Sequence, residues 1–281
     1  VRRVWGEDAL LLERAGAPVA ELAALEAEIE ASLALPGRGA WWDAHVHLGR
    51  DRDGHRLAAE DLRADLDRWG IAGAVCFPAN DPGADGQFGA ANAAVLEAAR
   101  RSAGRIVAFC RLDPRRAWSA ALERMAAGGA RGLKLHPIAQ RFAPEGPDAV
   151  ALVRAATERG WPVMIHAGFG ARPLAGPLAR LAEAVPEARL ILAHGGRGDA
   201  RAIRDGLAGR QGVLLDTSLA TLPDLVEIAP ERLCFGSDRP YGEHASALQL
   251  VALAAALRGW SADQREGVMG GNLGAWLPGT A

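Results

Sequence analysis

From residue 40 onward, short apolar runs alternate with helix-period stretches. The runs occupy 40–46 (AWWDAHV), 71–77 (IAGAVCF), 105–111 (RIVAFCR), 130–135 (ARGLKL), 161–166 (WPVMIH), 189–194 (RLILAH), 211–216 (QGVLLD) and 231–236 (ERLCFG). Each is almost continuously apolar, as expected of a strand covered on both faces. Amphipathic patterns at 58–69, 88–102, 116–127, 147–159, 174–184, 198–208, 221–229 and 244–257 predict the helices between them. Eight strand–helix units in roughly 220 residues predict an α/β fold, a (β/α)8 TIM barrel. An open doubly wound sheet would want a glycine-rich dinucleotide turn after an early strand, and none is present. Ahead of the barrel, Leu10, Leu11, Val19, Leu22, Leu25, Ile29 and Leu33 recur at helical spacing, with Pro18 starting a second piece. The expected organisation is a helical extension over 1–39 and one barrel domain over 40–281.

Charge narrows the function classes. The formal net charge is −2 and both signs are spread along the chain. No basic block suggests nucleic acid, and no apolar run reaches membrane-spanning length. The first residues lack the apolar core of a signal peptide. Cys76, Cys110 and Cys234 each sit in an apolar run, which suits reduced thiols of a cytoplasmic protein. All but one of the 32 basic residues are arginine, and the exception is Lys134. A lysine kept where arginine otherwise serves can lose its proton or be carbamylated, which arginine cannot do.

The polar residues that close the strands suggest chemistry. Active sites of such barrels form at the C-terminal strand ends. His45 and His47 alternate onto one face of the first run, and Lys134 and His136 onto one face of the fourth. His166, His194 and Asp238 close the fifth, sixth and eighth. His55 and His244 fall in loop or helix-start segments. Any one of the strand-end histidines alone would read as an ordinary half-buried polar residue; their shared placement does not. Imidazoles with a carboxylate suit a borderline divalent metal: zinc first, with iron, manganese or cobalt as alternatives. Asp238 can take a proton from a metal-activated water, and a further histidine can polarise a substrate carbonyl. Arg111 and Arg239, beside strand ends, can each clamp a substrate carboxylate or remain solvated surface charges. Residues 80–83 and the 138–147 loop, with Gln140 and Phe142, would line the mouth. Phe77, Phe169 and Tyr241 suit an apolar or aromatic substrate, and equally suit packing. Asp216 and Ser218 would supply hydrogen bonds behind the ligands.

These stretches resemble the amidohydrolase superfamily, in the branch with aminocarboxymuconate semialdehyde decarboxylase. The motifs are Asp43-Ala44-His45-Val46-His47, Gly132-Leu133-Lys134-Leu135-His136-Pro137, Val163-Met164-Ile165-His166-Ala167-Gly168, Leu192-Ala193-His194-Gly195-Gly196 and Phe235-Gly236-Ser237-Asp238. The resemblance implies that His45, His47, His166 and Asp238 bind a metal, and that His194 orients water or substrate or serves a second ion. It leaves the strand-four partner open between Lys134, carbamylated in two-metal relatives, and His136. One or two divalent ions are therefore expected. It implies a hydrolase of amides, esters or lactones first. A non-oxidative decarboxylase or hydratase and a nonheme iron, even diiron, oxygenase of natural-product biosynthesis are the alternatives. A non-catalytic binding module would retain function without the metal. The expected partner is a small-molecule substrate, with a homodimer suggested by the N-terminal extension.

Overall fold

The computed structural model describes Gly16 and residues 41–80, 86–169 and 173–277. Apart from Gly16, the predicted helices over 7–34 lie outside the described residues, as do residues 81–83 of the expected mouth loop. The strands are β1 (Trp42–Arg50), β2 (Arg56–Leu57), β3 (Gly73–Pro78), β4 (Ile106–Arg111), β5 (Gly132–Leu135), β6 (Val163–Ile165), β7 (Leu190–Leu192), β8 (Val213–Asp216) and β9 (Leu233–Cys234). The helices are α1 (Ala59–Trp69), α2 (Gly89–Arg100), α3 (Ser119–Ala127), α4 (Pro137–Gln140), α5 (Pro147–Thr157), α6 (Ala175–Ala184), α7 (Ala200–Gly206), α8 (Leu222–Val226), α9 (His244–Arg258), α10 (Ala262–Glu266) and α11 (Asn272–Gly274). Among the described residues no helix is long and apolar enough to cross a membrane.

The sheet runs β2-β1-β3-β4-β5-β6-β7-β8-β9. Only β2 is antiparallel, a two-residue flap on the end of β1. The other eight strands are parallel, and their two edges meet. Ala44 N donates to Phe235 O, Asp238 N to His45 O and His47 N to Arg239 O, while Val46 bridges Arg239 in parallel. These bonds close the (β/α)8 barrel and bring the segment carrying Asp238 against the strand carrying His45 and His47.

Alternation along the strands divides the core in two. Leu133, Leu135, Val163, Ile165, Leu190 and Leu192 point outward to the helices. Val75, Phe77, Phe109, Met164, Ile191, Leu214 and Cys234 point inward and fill the barrel with Trp42 and Ala44. The helices pack the outer layer by the same logic. α1 buries Leu62, Leu66 and Trp69 on one stripe, each contributing roughly 1.5–3 kcal/mol by burial. It starts on Glu60 and Asp61, which suit the positive helix end, and stops where Gly70 turns left-handed at φ 65.

The floor of the barrel is tight. A Cβ on Gly73 would stand 2.6 Å from the Arg105 carbonyl oxygen and 2.7 Å from the Trp42 ring. A Gly73→Ala variant is therefore expected to lose roughly 1–3 kcal/mol through overpacking. Urea denaturation checks it, and a stability equal to that of the parent would contradict the packing described.

Candidate metal centre

The parity of β1 changes part-way along the strand. Its pairing with β3 slips between Asp43 and Val46. Trp42 and Ala44 point into the barrel below the slip, whereas Val46 and Leu48 point outward above it. A bulge of this kind re-aims side chains at a site. Here it lets His45 and His47 face the barrel mouth directly above an apolar floor. Their Nε2 atoms stand 3.2 Å apart. Asp238 Oδ1 lies 3.1 Å from each of them.

Hydrogen bonds fix which face each ring presents. His45 Nδ1 lies 2.7 Å from Asp216 Oδ2, an oxygen that can only accept, so Nδ1 carries the proton. His194 Nδ1 lies 3.2 Å from the Ser218 carbonyl, so it also donates. Both Nε2 lone pairs then turn toward the site, and His194 Nε2 meets His166 Nδ1 at 3.1 Å. Asp216 is the common brace. Its Oδ1 accepts from the backbone N–H of His194 and of Ser218 and from the Ser218 hydroxyl. An Asp216→Ala variant is expected to weaken metal affinity about 10–100-fold by freeing His45. Competition against a chromogenic chelator measures it.

A second carboxylate ties the walls together. Asp43 Oδ1 accepts from His45 N at 2.9 Å and Ser237 N at 3.0 Å. Its Oδ2 accepts from Ser237 Oγ at 2.5 Å and faces His244 Nε2 at 3.0 Å. β1, the Asp238 segment and α9 are thereby stitched at one buried point. His194 and Asp238 themselves sit in left-handed backbone, at φ 63 and φ 60. Such conformations cost energy outside glycine and concentrate at functional positions.

The donor set fits a divalent cation. Asp238 Oδ1 is buried and has no hydrogen bond from the described residues, although two imidazole nitrogens flank it. Donors about 2.1 Å from one ion at 90–110° stand roughly 3.0–3.4 Å apart, the spacing seen here. The charges agree. Burial alone would raise Asp238, but His45 and His47 outweigh it and hold the carboxyl well below its usual range. Burial opposes a charge on His45, yet Asp216 and Asp238 raise its pKa, so a proton competes with a cation for its Nε2. Burial pushes His47 down to about 3, His194 to about 4 and His166 to about 2, leaving neutral rings with lone pairs to offer. His45, His194 and Asp216 also have donor atoms close together, but Asp216 is already saturated by protein hydrogen bonds.

Lys134 and His136 differ, although alternation puts both on one face. The Lys134 Nζ atom lies 3.2 Å from His45 Nε2, over the Phe77 ring. Burial lowers Lys134 to about 7, so an uncharged amine, the form a carbamate needs, is accessible near neutrality. His136 instead accepts the Ala139 N–H on Nδ1 and caps α4. With that nitrogen occupied, it does not join the ligand atoms around His45. Three expected substrate contacts also lie elsewhere. Arg239 is held by Asp65 and Glu243 at 2.7 and 2.9 Å, so its charge is already neutralised. Gln140 is turned inward, accepting from His136 N and donating to Leu112 O. Phe142 packs on the outer core. Arg111 alone of this group faces a cavity of about 470 Å³, together with His47, His136, His166, His194 and Asp238.

The family model described as amidohydrolase matches residues 42–274, which spans every element of the site. This chain belongs to the amidohydrolase family. No curated protein matches it significantly. Its fold is shared by a probable 2-pyrone-4,6-dicarboxylic acid hydrolase from Acinetobacter baumannii with citric acid bound, 16% identical over 85% of this chain and 99% of that one, TM-score 0.62. The 5-carboxyvanillate decarboxylase of Sphingomonas paucimobilis is 17% identical over 79% and 83% of the two chains, TM-score 0.62. A 2,6-dihydroxybenzoate decarboxylase complexed with 2,6-dihydroxybenzoate is 16% identical over 84% and 98%, TM-score 0.66.

In this amidohydrolase, several residues that sequence reading passed over support the site. Asn92 on α2 pairs with the backbone of Arg111, donating to its carbonyl and accepting from its N–H, both at 2.8 Å. The available signal was one amide side chain in the alanine-rich stretch 89–99. Asp51 carries the Tyr241 hydroxyl at 2.7 Å and closes the β1–β2 turn. Tyr241 in turn sets its ring edge-on to His47. No local pattern announced that pairing.

Proposed function

We propose that this amidohydrolase is a metal-dependent hydrolase of a small carboxylated substrate bearing an ester, lactone or amide bond. The observation that carries the reading is that one cavity is lined both by the buried guanidinium of Arg111 and by His47 and Asp238, two corners of the triangle that His45 completes from beneath. Zinc is the expected ion, with iron or manganese as alternatives for the same donors. Such an ion supplies Lewis acidity and lowers the pKa of water. Asp238 Oδ1, ionised and without a hydrogen bond from the described residues, can take a proton from the attacking water and return it to the leaving atom. Arg111 offers two N–H groups to the substrate carboxylate, which fixes the scissile carbon relative to Asp238. The three structural neighbours are named for carboxylic acids, which supports a carboxylated substrate.

Decarboxylation is the second reading, favoured by the aromatic rims Phe169 and Tyr241 and by two of those neighbours. One experiment separates the readings. Zinc-loaded protein is incubated with carboxylated lactones and esters and with hydroxylated aromatic acids in ¹⁸O-labelled water. One ¹⁸O in the new carboxylate of the acyl product, with every substrate carbon recovered in the acid and alcohol parts, supports hydrolysis. Carbon dioxide release from the aromatic acids, or consumption of dioxygen, overturns it. Independently, zinc at a hundredfold over its dissociation constant should stabilise the metal-free protein by about 2.7 kcal/mol in a thermal melt.

A further inference from the structure

We propose that His136 contacts the substrate as a neutral hydrogen-bond donor, its proton locked on Nε2, and is not a metal ligand. This rests on the hydrolase reading above and extends it to a residue that recognises a substrate oxygen.

The proton's position follows from one bond. The backbone N–H of Ala139 donates to His136 Nδ1 at 3.2 Å. An amide N–H can only donate, so Nδ1 must keep its lone pair. A neutral ring then carries its proton on Nε2. The same bond makes the ring neutral, because an imidazolium carries a proton on both nitrogens and could not accept at Nδ1. An imidazole in this tautomer has no free lone pair for a metal.

The ring is also held still. Its own backbone N–H donates to Gln140 Oε1 at 2.8 Å, and Gln140 Nε2 is anchored on the Leu112 carbonyl at 2.7 Å. Pro137 starts the short α4 turn immediately after it. The face of the ring lies on His166, centroids 3.8 Å apart and 16° from parallel. One edge is capped and one face is stacked, and the ring lines the cavity beside His166, His194 and Asp238.

His136 thus differs from its neighbours in kind. His45 and His194 are braced through Nδ1–H and present lone pairs. His136 is braced through its Nδ1 lone pair and presents an N–H. A lone pair takes a cation, whereas an N–H takes an oxygen. In this cavity the matching oxygen belongs to the scissile carbonyl or to a carboxylate of the substrate, and an N–H aimed at a carbonyl also stabilises negative charge developing on it.

Two variants and one spectrum test this on the whole protein. His136→Gln keeps an N–H donor at similar reach, and His136→Leu removes it. Both should hold as much zinc per chain as the parent, measured by elemental analysis. On the carboxylated ester or lactone that the parent hydrolyses, His136→Leu should lose about 10²–10³-fold in kcat/KM. His136→Gln should recover to within about tenfold. Long-range ¹H–¹⁵N correlation on histidine-labelled, metal-free protein should show the His136 ring protonated at Nε2. Loss of one zinc equivalent in His136→Leu, unchanged kcat/KM in that variant, or a proton on Nδ1 would each overturn the proposal. A parent that binds zinc but hydrolyses nothing would overturn the function proposed above instead, while the spectrum and the zinc content still decide the role of His136.

Discussion

Asp238→Asn should fold as the parent does, lose its metal, and lose activity by about 10³–10⁴-fold. Asparagine keeps the volume of aspartate and is tolerated at φ 60 better than alanine. The backbone bonds that hold this residue survive: Asp238 N still donates to His45 O, and Tyr241 N and Gly242 N still donate to its carbonyl. What disappears is the negative charge between two imidazoles 3.1 Å away. The amide offers no anion to a cation and no base to a water, and loss of a positioned proton acceptor alone costs roughly 10²–10⁴-fold. Elemental analysis, a thermal melt in chelator and kcat/KM on one substrate check the three parts separately. Full zinc content with parental kcat would remove Asp238 from the site.

Arg111→Met should make the protein more stable and a worse enzyme. The guanidinium is fully buried, with Nη1 and Nη2 both 3.5 Å from their acceptors, Pro78 O and Asn80 Oδ1. That distance is the long limit of a hydrogen bond, and Nε has no partner among the described residues. The Phe88 ring beneath it, 4.6 Å away, returns only part of the lost hydration. Burial accordingly lowers its pKa to about 10. A base whose folded pKa is depressed destabilises the fold wherever it is protonated. The cost, about 3 kcal/mol, is thus present at neutral pH and fades only as pH rises past about 10. Methionine fills similar space without charge, so stability should rise by roughly 1–3 kcal/mol. If the cation is kept for a substrate carboxylate, kcat/KM should fall by about 10²–10³-fold, as for a severed buried charge pair. Denaturant melts and steady-state kinetics on the carboxylated substrate decide. A less stable or equally active variant would show that Arg111 serves packing alone.

The fold was legible because barrel strands are buried on both faces, and continuous apolar runs report this locally. Runs and strands disagree mainly at their upper ends. The run 189–194 stops as a strand at Leu192, since His194 enters left-handed backbone. Whether a residue adopts that conformation depends on what holds it. Here the holder is Asp216 Oδ1, bonded to His194 N across 22 residues.

The candidate site was legible in kind and incomplete in role. Arg111 and Arg239 look alike in sequence, each an arginine at a strand end. One turns inward by strand parity, and the other is neutralised by Asp65, 174 residues away. Gln140 looked like a substrate contact and proves to hold His136 in place.

From its sequence alone, this chain declares eight strand–helix units and a crown of imidazoles and carboxylates at the strand ends, since hydrophobic period and residue type are local properties. Only the tertiary structure separates Lys134 from His136, aims His45 beside His47 through a bulge, and sets Asp238 between them. Those outcomes depend on which donor meets which acceptor when the barrel closes, and closure joins residues almost 200 positions apart, as Asp43 and Ser237 are.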